Sequence, residues 1–139
     1  MKRFFSLLSC VLLISMLCCV NVNAEITRSS EYIRSCRGSL ESGSSRGKID
    51  LSFTITATKS MTSLGISQVD VYKSDGTFVK TIYGSTSNGL LSNSGQRFTG
   101  SYTIALSSGE TYYTELTFIA KDSSGSDTNT ITTNTATAK

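Results

Sequence analysis

The stretch Lys48-Ile-Asp-Leu-Ser-Phe-Thr-Ile-Thr-Ala-Thr-Lys59 decides the fold. Ile49, Leu51, Phe53, Ile55 and Ala57 alternate with Asp50, Ser52, Thr54 and Thr56. An extended chain turns alternate side chains to opposite faces, so this segment has one apolar and one wet face. A helix would scatter the same residues around its axis. The segment is therefore predicted to be a strand with one side packed on a core.

Period two recurs on either side. Thr111 to Lys121 sets Tyr112, Thr114, Leu116, Phe118 and Ala120 against Glu115, Thr117 and Lys121. Arg97 to Leu106 stacks Phe98, Gly100, Tyr102, Ile104 and Leu106 on one side. Ile66 to Lys73 and Phe78 to Gly84 flank Ser74-Asp75-Gly76, which reads as a hairpin loop with Gly76 in the left-handed conformation. A three-residue loop would place Asp70 across from Lys80, Val71 from Val79 and Tyr72 from Phe78. A weaker first strand is predicted around Tyr32 to Cys36 and a last one over Thr128 to Thr137. Glu41 to Gly47, Ser85 to Gly95 and Asp122 to Asp127 are clusters of Ser, Gly, Asn and Asp that read as loops. About seven short antiparallel strands divided by such loops predict an all-β sandwich of two sheets.

Leu106-Ser-Ser-Gly-Glu-Thr-Tyr112 leads straight into the strand carrying Leu116, Phe118 and Ala120. This resembles the E-to-F corner of fibronectin type III and other immunoglobulin-like sandwiches, in which a tyrosine hydroxyl bonds back to the corner backbone. The resemblance spans roughly residues 30 to 137 and implies that Tyr112 is the structural corner tyrosine. By the same likeness, Ile49 to Ala57 corresponds to strand B, Ile66 to Lys73 to strand C, Phe78 to Tyr83 to strand C′ and Thr128 to Thr137 to strand G. The B-to-F disulfide and the strand C tryptophan of antibody domains are missing, so the likeness is to the disulfide-free branch. The whole chain also resembles small secreted proteins of unassigned function from Gram-positive anaerobes of the clostridial type. That resemblance rests on the leader, on Ala57-Thr-Lys59 with Met61-Thr-Ser-Leu-Gly65, and on Tyr112-Tyr113 followed by Phe118-Ile-Ala-Lys-Asp122-Ser-Ser-Gly125. It implies a sandwich and an extracellular address, and brings no activity with it.

Residues 1–24 read as a secretory signal peptide. Lys2 and Arg3 form the basic start, an apolar run from Phe4 to Val20 follows, and Val22-Asn-Ala24 supplies the cleavage positions. Cleavage after Ala24 would leave a flexible start over residues 25–30 and a single domain over residues 31–139, a size typical of one folded unit. It would remove Cys10, Cys18 and Cys19, so Cys36 could form no internal disulfide. Leu7-Leu-Ser-Cys10 loosely resembles a lipid-attachment site but comes too early for one. The formal charge of +3 falls further once Lys2 and Arg3 are lost, which points away from nucleic acid and anionic membrane surfaces. No later apolar run is long enough to span a bilayer, so membrane insertion after cleavage is not expected.

The chain has no histidine, which removes Ser-His and Cys-His nucleophilic pairs and the usual zinc sites. Cys36 alternates with Tyr32 and Arg34 and reads as a small packed side chain. Glycosidase-like chemistry would need two acids facing one cleft, whereas Asp50, Asp70, Glu110 and Glu115 fall mostly at outward or corner positions. Asp122-Ser-Ser-Gly-Ser-Asp127 collects oxygen ligands that, with Asp75 from a neighbouring loop, would suit calcium. The same residues suit a tight turn for backbone reasons alone, and no metal or cofactor is assigned.

Exposed aromatics are the one positive sign of a binding surface. Tyr72 and Phe78 are expected to face outward together, with Tyr113 just past the corner, as a small platform for an unknown protein or glycan partner. Plain cross-strand packing accounts for the same pair. The Thr-rich last strand has little charge to blunt its edge and offers an alternative, self-assembly by strand addition. The sequence thus predicts a secreted, non-catalytic immunoglobulin-like module, monomeric, with no catalytic residues.

Overall fold

The computed structural model describes residues 30–139, so the expected signal peptide, its cleavage site and residues 25–29 lie outside the described residues. The described chain is all-β, with nine strands. These are β1 (Ile33–Ser42), β2 (Lys48–Met61), β3 (Ser63–Lys73), β4 (Phe78–Tyr83), β5 (Leu91–Ser92), β6 (Gly95–Ala105), β7 (Thr111–Asp122), β8 (Gly125–Thr132) and β9 (Ala136–Thr137). One antiparallel sheet has the order β1-β2-β6. The other has the order β4-β3-β7-β8, with β5 paired to β3 and β9 to β7. Among the described residues no helix is long and apolar enough to cross a membrane.

The two apolar stripes that the alternation predicts face one another. Ile49, Leu51, Phe53, Ile55 and Ala57 of β2 are buried, as are Tyr112, Leu116, Phe118 and Ala120 of β7. Val69 and Val71 of β3 and Ile104 of β6 widen the same layer. Phe53 packs within it, edge-on to Phe98 at 5.6 Å and to Phe118 at 6.3 Å between ring centroids. Gly38 of β1 and Gly100 of β6 stand opposite Phe53 on its two neighbouring strands; Gly100 leaves room for the ring, and Gly38 leaves room for Leu116. Burying each such side chain contributes roughly 1.5–3 kcal/mol. The Tyr112 hydroxyl, inside the core, accepts a hydrogen bond from the Ser107 backbone N–H at 3.2 Å and faces the Ser107 carbonyl at 3.4 Å, so the phenol is buried with its polar atom paired.

Several segments depart from the sequence expectation. The first strand runs to Ser42 rather than ending at Cys36, because Leu40 is buried opposite Leu51 and pairing with β2 continues through Ser42. Asp122 to Asp127 is no open loop. β7 and β8 are joined by Ser123-Ser124 alone, and the Asp122 carboxylate accepts the N–H groups of Ser124 (2.8 Å) and Gly125 (3.1 Å). The last strand breaks in two at Thr133, whose hydroxyl takes the Thr114 N–H at 3.0 Å in place of a backbone carbonyl. Ser85 to Gly95 holds the short β5 and a fully buried Leu90, an apolar anchor hidden among Ser, Asn and Gly.

The hairpin register also differs. Gly76 is left-handed at φ 89° and Tyr72 does pair with Phe78, as expected. Beyond that point a bulge at Val79 shifts the ladder, so Asp70 meets Thr81 instead of Lys80, and Val71 meets Lys80 instead of Val79. The extra residue reverses the alternation. Ile82 thereby turns inward beside Val69, Val79 is left exposed, and Lys80 reaches back to donate to the Ala105 carbonyl of β6 at 2.7 Å.

Side chains tie the sheets along their other margin. The Asn134 amide accepts the Leu40 N–H at 2.9 Å and donates to the Leu40 carbonyl at 2.8 Å, replacing a strand partner for β1. Asp127 on β8 accepts the Tyr32 N–H at 3.1 Å and the Ser30 hydroxyl. That hydroxyl, with the backbone N–H, holds the Asp127 carboxyl below the usual carboxylate range. Asp122 is lowered by the Lys59 ammonium at 2.6 Å and by the Ser124 N–H, and Asp75 by Thr77. A carboxyl lowered in the folded state contributes stability that is complete above the unfolded value near ~3.9 and is lost as pH falls through the folded value. The melting temperature, followed by circular dichroism, should hold from neutral pH to about 4 and drop below it, with a shallower drop in Asp127→Asn. A melting temperature unchanged into strong acid would show these contacts to be inconsequential.

Candidate functional site

The part of the outer face of the β4-β3-β7-β8 sheet that carries the candidate residues follows from the alternation of β3, β7 and β4. On β3 and β7 the residues between the buried positions are Gln68, Asp70 and Tyr72, and Tyr113, Glu115 and Thr117. The Val79 bulge brings Phe78, Thr81 and Tyr83 of β4 to the same face. Register sets these residues in three rows: Phe78, Tyr72 and Tyr113; then Thr81, Asp70 and Glu115; then Tyr83, Gln68 and Thr117.

The first row is the expected aromatic platform, and the structure brings its three members together. Tyr72 lies edge-on to Phe78 at 5.6 Å and stacks on Tyr113 at 5.3 Å with an interplanar angle of 11°. Phe78 is 55% exposed and Tyr83, at the far end of β4, is 72% exposed. Together with Val79 these are the exposed large hydrophobic residues of the described chain, and all three stand on β4. Tyr112, one residue before Tyr113, points the other way and is structural.

The second row was missed by the sequence reading. Asp70 and Glu115 are direct cross-strand partners, which places their Cβ atoms about 4.5–5.5 Å apart. Asp70 accepts hydrogen bonds from the Gln68 amide at 2.7 Å and from the Thr81 hydroxyl. Burial among its neighbours, and then the charges of Glu115 and Asp70, push the Tyr72 phenol above its ordinary value. The only signal in the sequence was parity: Asp70 and Glu115 share a phase with Tyr72 and Tyr113. Their pairing depends on which strands are neighbours, which no local pattern contains. The acids lie on an open sheet face, away from two clefts that border β1 and β2.

Elsewhere the candidate groups are already engaged. Asp75 sits in the turn beyond Lys73, beside Tyr112, whereas Asp122 lies beyond Ser63 at the opposite end of the same sheet, so the two loops are not neighbours. Among the described residues no group of three His, Cys, Asp or Glu side chains is placed to hold a metal ion. Cys36 is half-buried, accepts a hydrogen bond from the Asn129 amide at 3.4 Å, and has its thiol pushed up by burial, which disfavours the thiolate. It lines a cleft of about 560 Å³ with Gly38, Phe53 and Ile131. A smaller cleft of about 280 Å³ on the outer face of the β1-β2-β6 sheet is lined by Arg37, Arg97, Ser35, Thr54 and Thr56. The outer face of that sheet carries Arg37 and Arg97 together with the opposed carboxylates Glu41 and Asp50, and the outer face of the other sheet carries Asp70 and Glu115. Comparison with family models, curated proteins and solved structures finds no match for this chain.

Proposed function

We propose that this chain is a secreted, non-catalytic immunoglobulin-like module that binds a protein or glycan partner at or near the cell surface through Tyr72, Phe78 and Tyr113. The observation that carries the reading is the aromatic row on the outer face of the second sheet, more than half exposed at Phe78. The strand order β1-β2-β6 against β4-β3-β7-β8 and the bond between Tyr112 and Ser107 support the immunoglobulin-like part. The basic and apolar start of the chain supports export. The lack of histidine and the flat setting of Asp70 and Glu115 favour binding over catalysis.

The test probes the purified protein against glycan and envelope extracts. Saturable retention that Phe78→Ala and Tyr113→Ala each weaken about tenfold is expected, the loss typical of a central aromatic contact. Retention unaffected by both variants would remove the platform. A second reading, a self-assembling subunit of envelope or matrix, is favoured by β4: an edge strand carrying Phe78, Val79 and Tyr83 exposed, with its one charge, Lys80, turned to Ala105. A protein that stays monomeric in sedimentation at high concentration rules that reading out.

A further inference from the structure

We propose that the outer face of the second sheet docks a lysine- or arginine-bearing segment of a partner polypeptide, its cationic head between Asp70 and Glu115 and its aliphatic stem along the Phe78, Tyr72 and Tyr113 row. This assignment rests on the binding role proposed above and narrows the partner from protein or glycan to a cationic protein segment.

Charge complementarity carries it. Like charges directly opposed across two strands destabilise a sheet, so Asp70 beside Glu115 is a local cost to the fold. No basic side chain of this face offsets it. Lys121, the cation sharing the outward phase of β7, lies six residues beyond Glu115, about 20 Å along the strand and well past the screening length. Lys73 pairs with Glu110 at 3.8 Å, Lys59 pairs with Asp122, and Lys80 is drawn to the β6 edge. The groups that do touch the acids are neutral. Gln68 and Thr81 orient the Asp70 carboxylate without cancelling its charge, and Glu115 has Thr132 on its other side. The result is a pair of opposed carboxylates, Asp70 oriented by Gln68 and Thr81, whose repulsion a bound ammonium or guanidinium would relieve.

The aromatic row fits the rest of such a side chain. Tyr72 and Tyr113 stack on each other, so their inner faces are occupied and the row offers a ridge of edges with Phe78 beside it. A sugar ring needs an open aromatic face, whereas the methylene stem of lysine or arginine packs along an apolar wall while its head stays polar. The chain has no tryptophan to supply a broader face.

The experiment titrates the purified protein with a short peptide alternating lysine and serine, and with the same peptide acetylated at every lysine, followed by NMR shifts and calorimetry at low and physiological salt. Saturable binding of the lysine peptide is expected, weaker in salt. Loss of a charged hydrogen bond should weaken it at least about tenfold on acetylation and in Asp70→Asn or Glu115→Gln, with Arg37→Ala unchanged. Glu115→Gln should unfold no earlier than the parent, since it removes one of two opposed like charges. No binding, or equal binding by the acetylated peptide or by the Asp70→Asn/Glu115→Gln double variant, overturns the cationic assignment, as does a marked loss of stability in Glu115→Gln. If Phe78→Ala still weakens retention of extract material in that case, the platform stands without it. If Phe78→Ala changes nothing either, both fall.

Discussion

Phe53→Ala should lose about 3–5 kcal/mol of folding stability, enough to consume much of the roughly 5–15 kcal/mol that holds a domain together. The ring is buried at 3% exposure and meets Phe98 and Phe118 edge-on. Its neighbours across both ladders are Gly38 and Gly100, which have no side chains to move into the space. Neither glycine can fill the cavity, and Leu116 already occupies the space over Gly38, so the deletion sits towards the costly end of its class. Denaturant unfolding followed by far-ultraviolet circular dichroism measures it, with Phe53→Leu as the milder comparison. A loss in Phe53→Ala under about 1 kcal/mol would mean the sheets close over the gap, and the packing described here would be wrong.

That ring marks how far the sequence could be read. Alternation in Lys48 to Lys59 and Thr111 to Lys121 identified both the strands and their buried faces, since a one-residue slip would expose Phe53 or Phe118 to water. The pairing of Tyr72 with Phe78 was legible too, because the Ser74-Asp75-Gly76 loop fixes the register next to it. Farther along β4 the reading failed. Phe78-Val-Lys-Thr-Ile-Tyr83 does not alternate strictly, and the structure accommodates it with a bulge that keeps Ile82 inside and strands Val79 on the surface. The end of β1 and the break at Thr133 were illegible for a different reason. Each depends on a distant side chain, Asn134 at Leu40 and Thr133 at Thr114, that satisfies a backbone group the local pattern leaves unpaired. The acidic row was hidden likewise, as Asp70 and Glu115 lie far apart in the chain and meet only because β3 and β7 are neighbours.

Gly65→Ala tests the junction on which the candidate surface depends and should lose about 2–4 kcal/mol, from backbone strain and a forced local shift together. Gly65 has φ 149°, a conformation that a residue with a Cβ rarely adopts. It also lies where β3 passes β5, and the added carbon would run into the Leu90 carbonyl oxygen. That carbonyl cannot retreat freely, since it accepts the Ile66 N–H at 2.8 Å and belongs to a residue whose side chain is fully buried in the core. β3 must therefore move at its start, while its other half carries Gln68, Asp70 and Tyr72 in register with both β4 and β7. Thermal unfolding gives the stability loss. The NMR ring shifts of the stacked Tyr72 and Tyr113 report whether the displacement travels along the strand to the aromatic row. An unaltered tyrosine signal beside a lowered melting temperature would confine the strain to the β5 end, whereas a Gly65→Ala protein as stable as its parent would mean that the close approach of Leu90 to Gly65 is not a fixed feature of the fold.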